Sequence, residues 1–293
     1  MYHLIIAITL LGTPVKDSTS PFPYYIKSSA HPFKWEDVEV NVPQRYKDSV
    51  LTIFAKNCHH CFIEGFDPKP EIEAFKNSFH FVDLNGDGLA DLVYEGRSDG
   101  EPNIVEFYLN RKKKFDKVFS DYERLLDLIF QNKRLTYLVI DNYGCCAETV
   151  NFERHFFVDE NFQFRLVIQR AILKGMELGE DHYARPDGWF DQPVKFRILN
   201  SQYALRYTPE ITNKTPDIKY LDDDTSKGNI IALYPAGNRG IAWGYKKDTT
   251  GREWWLVEME PAVFLPYKMY YDYDDKLTHY YGWMSSRFVE RLP

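Results

Sequence analysis

The sequence predicts a mainly β protein with a few short helices, arranged as a β-rich amino-terminal domain and a small carboxy-terminal barrel. Three observations lead there. Apolar runs with strand-like alternation flank an acidic, glycine-bearing loop at residues 83–91. After Pro193 the chain changes to short apolar runs at close spacing. Between them, residues 175–195 are rich in Gly, Asp, Pro and His, and this composition marks a domain boundary. The 293 residues, 44% hydrophobic and 16% aromatic, supply enough apolar surface for two folded cores. A formal net charge of -7 with scattered Lys and Arg leaves no basic stripe for phosphates, which excludes nucleic acid as the expected partner. The single basic run, Arg111 to Lys114, reads as a solvated hairpin tip.

Taken in order, Leu4 to Leu11 is an apolar stretch of signal-peptide length, too short to span a bilayer, so residues 1–19 read as a secretion signal. A buried first strand is the alternative, because no Lys or Arg precedes the stretch and no small-residue cleavage site is clear. No Cys occurs before Cys58, so a lipid-anchoring cysteine is missing. Residues 20–40 are irregular. Pro43 to Cys58 carries Val50, Ile53 and Phe54 near helical spacing and predicts a short helix. Phe79–Val82, Leu92–Gly96 and Asn103–Asn110 are strands, and a further strand follows the basic turn from Phe115. Asp121 to Phe130, with Tyr122, Leu125, Leu126, Ile129 and Phe130, predicts an amphipathic helix. Leu135 to Ile140 is a buried strand. The segments Leu92 to Phe115 and Leu138 to Phe162 share an order of strand, Gly turn, strand and aromatic strand, a degenerate repeat of blade-like spacing whose two units cannot close a propeller.

The loop Asp83-Leu84-Asn85-Gly86-Asp87-Gly88-Leu89-Ala90-Asp91 sets oxygen-bearing side chains at positions one, three, five and nine, with the Leu89 carbonyl at position seven. That pattern suits calcium, a hard cation that takes six to eight oxygens. An EF-hand would need a bidentate Glu at position twelve, where Tyr94 stands, and helical flanks, where strands are expected. The run from Phe81 to Phe119 instead resembles the VCBS/FG-GAP repeat, a blade-like unit of integrin-type propellers with a calcium loop between strands. The resemblance implies Asp83, Asn85, Asp87 and Asp91 as side-chain ligands and a cation that braces the blade. Calcium at such sites fits the high calcium outside cells, which favours a periplasmic or secreted location.

The four cysteines form two pairs, Cys58/Cys61 in Cys-His-His-Cys and the adjacent Cys145/Cys146. Two disulfides lead; zinc on the thiolates with His59 or His60, unpaired thiols and a redox Cys-x-x-Cys are the alternatives.

The carboxy-terminal strands are predicted at Val194–Leu199, Ala204–Tyr207, Asn229–Tyr234, Gly240–Lys246 and Glu253–Met259. With Trp243, the Trp254-Trp255-Leu256-Val257 strand and the closing Tyr281-Gly282-Trp283-Met284, residues 200–293 resemble a bacterial Src-homology-3-like domain. The chain departs from that family in the insertion from Pro266 to Tyr281. There, Tyr267, Tyr270, Tyr271, Tyr273, Tyr280 and Tyr281 interleave with Asp272, Asp274 and Asp275, a composition suited to recognition or to a loop folded over the core. Trp254 and Trp255 face opposite sides of one strand, so one is expected in the core and the other partly exposed. Tyr270, Tyr271, Tyr273, Trp243, Trp254 and Trp283 are therefore the candidate ligand-binding residues.

No nucleophile elbow, zinc-hydrolase motif or phosphate loop occurs. Glu177, Glu180, Asp181 and His182 cluster in what reads as a solvated linker. The expected function is a non-catalytic, calcium-stabilised extracytoplasmic binding protein that docks a peptide, a cell-wall fragment or a protein through the barrel and is not integral to the membrane. The alternatives are a cell-wall hydrolase using a Cys/His or zinc site, and an inhibitor or immunity-type protein.

Overall fold

The computed structural model describes residues 33–56, 68–98, 103–112, 114–122, 124–143, 150–173, 186–211, 228–262, 264–268 and 277–293. The first half is built from two antiparallel meanders. Strands β1 (Phe79–Val82), β2 (Asp91–Arg97), β3 (Asn103–Asn110) and β4 (Phe115–Tyr122) form a four-stranded sheet in chain order. Strands β5 (Arg124–Gln131), β6 (Arg134–Tyr143), β7 (Val150–Val158) and β8 (Phe164–Leu173) repeat that order in a second sheet. The two segments of the expected repeat fall on β2–β3 and β6–β7.

Alternation decides how these sheets pack. Val82, Val93, Val105 and Phe107 from the first sheet meet Leu125, Leu128, Leu138 and Ile140 from the second in one apolar layer. Phe79, Phe81, Leu92 and Tyr94 point the other way, and helix α1 (Gln44–Ala55) covers them with Val50 and Leu51. The fixed φ of Pro43 starts this helix. Ile53 faces solvent, while Phe54 packs on Phe79 and Tyr108. A second helix, α2 (Pro68–Asn77), leads into β1 and sets Phe75 edge-on to Phe79.

The helix expected over Asp121–Phe130 is absent: these residues are the end of β4 and most of β5. The pairing of β5 with β6 shifts register between Leu125 and Asp127 and again between Ile129 and Phe130. The first of these bulges lies between Leu125 and Leu128 and brings them to one face at helix-like spacing.

The second sheet does not end at β8. It continues by a parallel pairing to β15 (Thr278–Ser285), then to β13 (Glu253–Met259), β12 (Arg239–Lys247), β9 (Gly188–Ile198) and β16 (Val289–Arg291). Strand β9 is in its ladder with β12 already at Gly188, ahead of the expected start at Val194. Strands β10 (Tyr203–Arg206), β11 (Ile230–Tyr234) and β14 (Tyr267–Lys268) branch from β15, where Arg206 pairs with Trp283. At this branch a Cβ on Gly282 would lie 2.7 Å from the Arg206 carbonyl oxygen, so only glycine lets β10 cross so closely. The ladders among the described strands do not close on themselves. Phe196, Leu205, Ile231, Trp255 and Val257 fill the carboxy-terminal core, and Phe152 and Ala171 from β7 and β8 belong to the same cluster.

Candidate calcium loop and the buried charge row

The loop between β1 and β2 turns twice through left-handed backbone, at Gly86 (φ 76) and Gly88 (φ 80). Those turns aim successive backbone N–H groups inward. Asp83 accepts from Gly86 N at 2.9 Å and from Gly88 N at 3.0 Å. Asn85 Oδ1 accepts from Asp87 N at 2.9 Å, and Asp87 Oδ1 accepts from Leu89 N at 2.8 Å. Asp91 accepts from Leu84 N at 2.8 Å and from Asn110 N at 2.7 Å. Each carboxylate oxygen has more than one lone pair, so one N–H bond fixes the side chain and leaves capacity for a cation.

This donor set fits calcium: three carboxylates, one amide and one carbonyl, all oxygen. Asp91 gives the sharper test. It is 0% exposed and, among the described residues, forms no ion pair. Burial, reinforced by the nearby charges of Asp87 and Asp83, pushes its carboxyl up to about 6, against two backbone N–H bonds that pull it down. Among the described residues no group of His, Cys, Asp and Glu is gathered closely enough to register as a metal cluster.

A second polar assembly has no counterpart in any local motif. Ladder partners place Arg124 beside Asp141, Asp141 beside Glu153, Glu153 beside Arg170, and Arg170 beside His279, a row of ionisable groups across β5, β6, β7, β8 and β15. Glu258 on β13, paired with Tyr281, closes it. Arg170 Nη1 donates to Glu153 at 2.6 Å and its Nε donates to Glu258 at 3.0 Å. His155 lies 2.6 Å from Glu153, and His279 lies 3.1 Å from Glu258. The Tyr281 hydroxyl donates to Glu258 at 2.5 Å. Glu153 is 0% exposed and Glu258 3%.

The electrostatics follow from that packing. Burial alone would lift the Glu258 carboxyl, but His279, Arg170 and Tyr281 outweigh it and hold it down at about 2. Burial, with Glu258 beside it, pushes the Tyr281 hydroxyl well above its usual range. For Arg170 burial disfavours the charge, yet Glu258 and Glu153 more than compensate, so the guanidinium stays charged. Both Glu258 oxygens are engaged and Glu153 and Glu258 are sealed from solvent, so the row ties β7, β8, β13 and β15 together across the β8–β15 seam. Glu258 has a depressed native value against an ordinary 4.5. Its contribution to stability is therefore complete above about pH 4.5 and lost as pH falls through about 2. Melting temperature should fall across that window, and Glu258→Gln should flatten this part of the profile.

The tryptophans expected to bind a ligand lie in the core. Trp243, Trp254, Trp255 and Trp283 are 1–3% exposed. Both tryptophans of the Trp-Trp pair are core, because each face of β13 has its own cluster: Trp255 joins Val257 and Met259, while Trp254 packs with Leu256 and Trp283. Trp243, Trp254 and Trp283 thus present no open ring to a ligand. Tyr270, Tyr271 and Tyr273, the four cysteines Cys58, Cys61, Cys145 and Cys146, and the Glu177–His182 cluster lie outside the described residues.

Among the described residues no helix is long and apolar enough to cross a membrane. Comparison with known proteins finds no matching family model, no matching curated protein and no matching solved structure.

Proposed function

We propose that the chain is a non-catalytic, extracytoplasmic binding protein whose amino-terminal half is braced by one calcium ion at Asp83, Asn85, Asp87, Asp91 and the Leu89 carbonyl. The observation that carries this reading is Asp91, a buried carboxylate with no counter-charge among the described residues, closing a loop whose other oxygens alternate around two left-handed glycines. A buried ion without a partner is costly, and a divalent cation at this position offsets that cost for Asp91 and the repulsion from the more exposed Asp83 and Asp87.

Recognition is assigned to the carboxy-terminal strands, read as an SH3-like unit docking a peptide, a cell-wall fragment or a protein. Support comes from the pairing of the Trp-Trp strand with the Gly-Trp element, Trp255 to Met284 and Leu256 to Trp283, and from the Tyr- and Asp-rich segment that joins β14 to β15. With the Trp rings in the core, recognition falls to that segment.

Calcium titration with a thermal readout tests the first half of the proposal. A site present only in the native state stabilises by about 2.7 kcal/mol at a hundredfold excess over Kd. Melting temperature should rise with calcium into the millimolar range after chelator treatment, and Asp87→Ala should abolish the rise. A melting temperature indifferent to chelator and calcium would overturn the reading.

A further inference from the structure

We propose that the calcium loop is also a latch between the two sheets, so that ion occupancy sets how firmly the β5–β6 hairpin is held; this rests on the calcium reading above. The evidence centres on Leu84, the second residue of the loop. It sits between the candidate ligands Asp83 and Asn85, yet its side chain is 0% exposed and belongs to the inter-sheet core with Leu135 and Leu138. Its two backbone groups point to opposite partners. The Leu84 N–H donates to Asp91 Oδ2 at 2.8 Å, and its carbonyl accepts from Leu135 N, on β6, at 2.8 Å.

The crown of the loop makes the second contact. A Cβ on Gly86 would lie 3.1 Å from the Lys133 carbonyl oxygen, so the loop backbone rests on the tip of the β5–β6 hairpin. Asn132 and Lys133, both at positive φ, form that tip. Among the described strands, β5 ends the large sheet and has a ladder partner on one side, β6. An edge hairpin of this kind opens more easily than the central strands, so an added anchor at its tip raises its local stability most.

A cation that draws Asp83, Asn85 and Asp91 together fixes the peptide groups on both sides of Leu84. Without it, Asp83, Asp87 and Asp91 repel one another across the loop, and the loop relaxes outward. Leu84 then leaves the inter-sheet layer and Leu135 loses its acceptor. Calcium concentration would thereby control the order of the hairpin, and through β6 the end of the charge row at Asp141, while the loop itself does no chemistry.

Amide hydrogen exchange on the full chain, with calcium chloride or with chelator, tests the latch. Calcium should slow exchange of the Leu135 amide by about tenfold, with the β13 amides unchanged. Asp87→Ala should exchange at the chelator rate under both conditions. Leu84→Ala, which leaves every ligand in place, should keep the calcium-dependent thermal shift but lose most of the added protection at Leu135. A thermal shift without any change at Leu135 would overturn the latch and leave the calcium site standing. Absence of both would overturn the site and the latch together.

Discussion

Replacing Arg170 by methionine is expected to destabilise the native state by about 3–5 kcal/mol, because it strands two buried carboxylates whose charge the guanidinium now balances. Glu153 and Glu258 come from different halves of the chain, on β7 and β13, and Arg170 lies between them at 2.6 and 3.0 Å. Methionine preserves much of the apolar stem, so the loss would report charge rather than volume. Adding Glu153→Gln and Glu258→Gln should recover part of the loss, since the stranded charges go with them. The seam has three registered pairs, Thr278 with Gln169, His279 with Arg170, and Tyr280 with Ala171. Weakening it should also split a single urea transition into two, as the halves unfold in separate steps. A single-mutant cost below about 1 kcal/mol would place the network at a solvated surface instead of a desolvated seam.

The strands were largely legible in the sequence for a local reason. Phe79–Val82, Asn103–Asn110 and Glu253–Met259 have the same ends in sequence and structure, because alternation and flanking Gly or polar residues suffice to define them. Asp121–Phe130 was misread since its alternation is broken by bulges, and a bulge depends on the partner strand β6. The turn from Asp83 to Asp91 with its two left-handed glycines was equally legible, being nine consecutive residues with a fixed spacing. Its burial against the second sheet was not, because Leu135 determines it. The charge row was hidden for the same reason: its members come from six strands and become neighbours only through ladder register. Its one local trace is a charged residue inside an apolar run, as with Glu258 in Leu-Val-Glu-Met. Such a residue in a buried strand needs a partner, but the strand does not say where the partner lies.

Trp283→Ala should cost about 3–5 kcal/mol, the range for removing a large aromatic side chain from a core. Trp283 is 2% exposed and packs with Trp254 and Leu256 on the face of β13 turned away from the main core. It also pairs with Leu256 on one side and Arg206 on the other, at the point where β10 branches from β15. A cavity here would therefore loosen both ladders at once, and Trp283→Phe, which leaves a smaller void, should cost clearly less than alanine. Denaturant unfolding of the two variants measures the difference. The outcome also separates the two roles open to a tryptophan in this unit. A docking ring would lose binding on substitution with stability nearly intact, whereas a ring that fills the branch point lowers stability first. A stability change within about 0.5 kcal/mol for alanine, the level typical of surface substitutions, would return Trp283 to the recognition surface and remove the second cluster from the core.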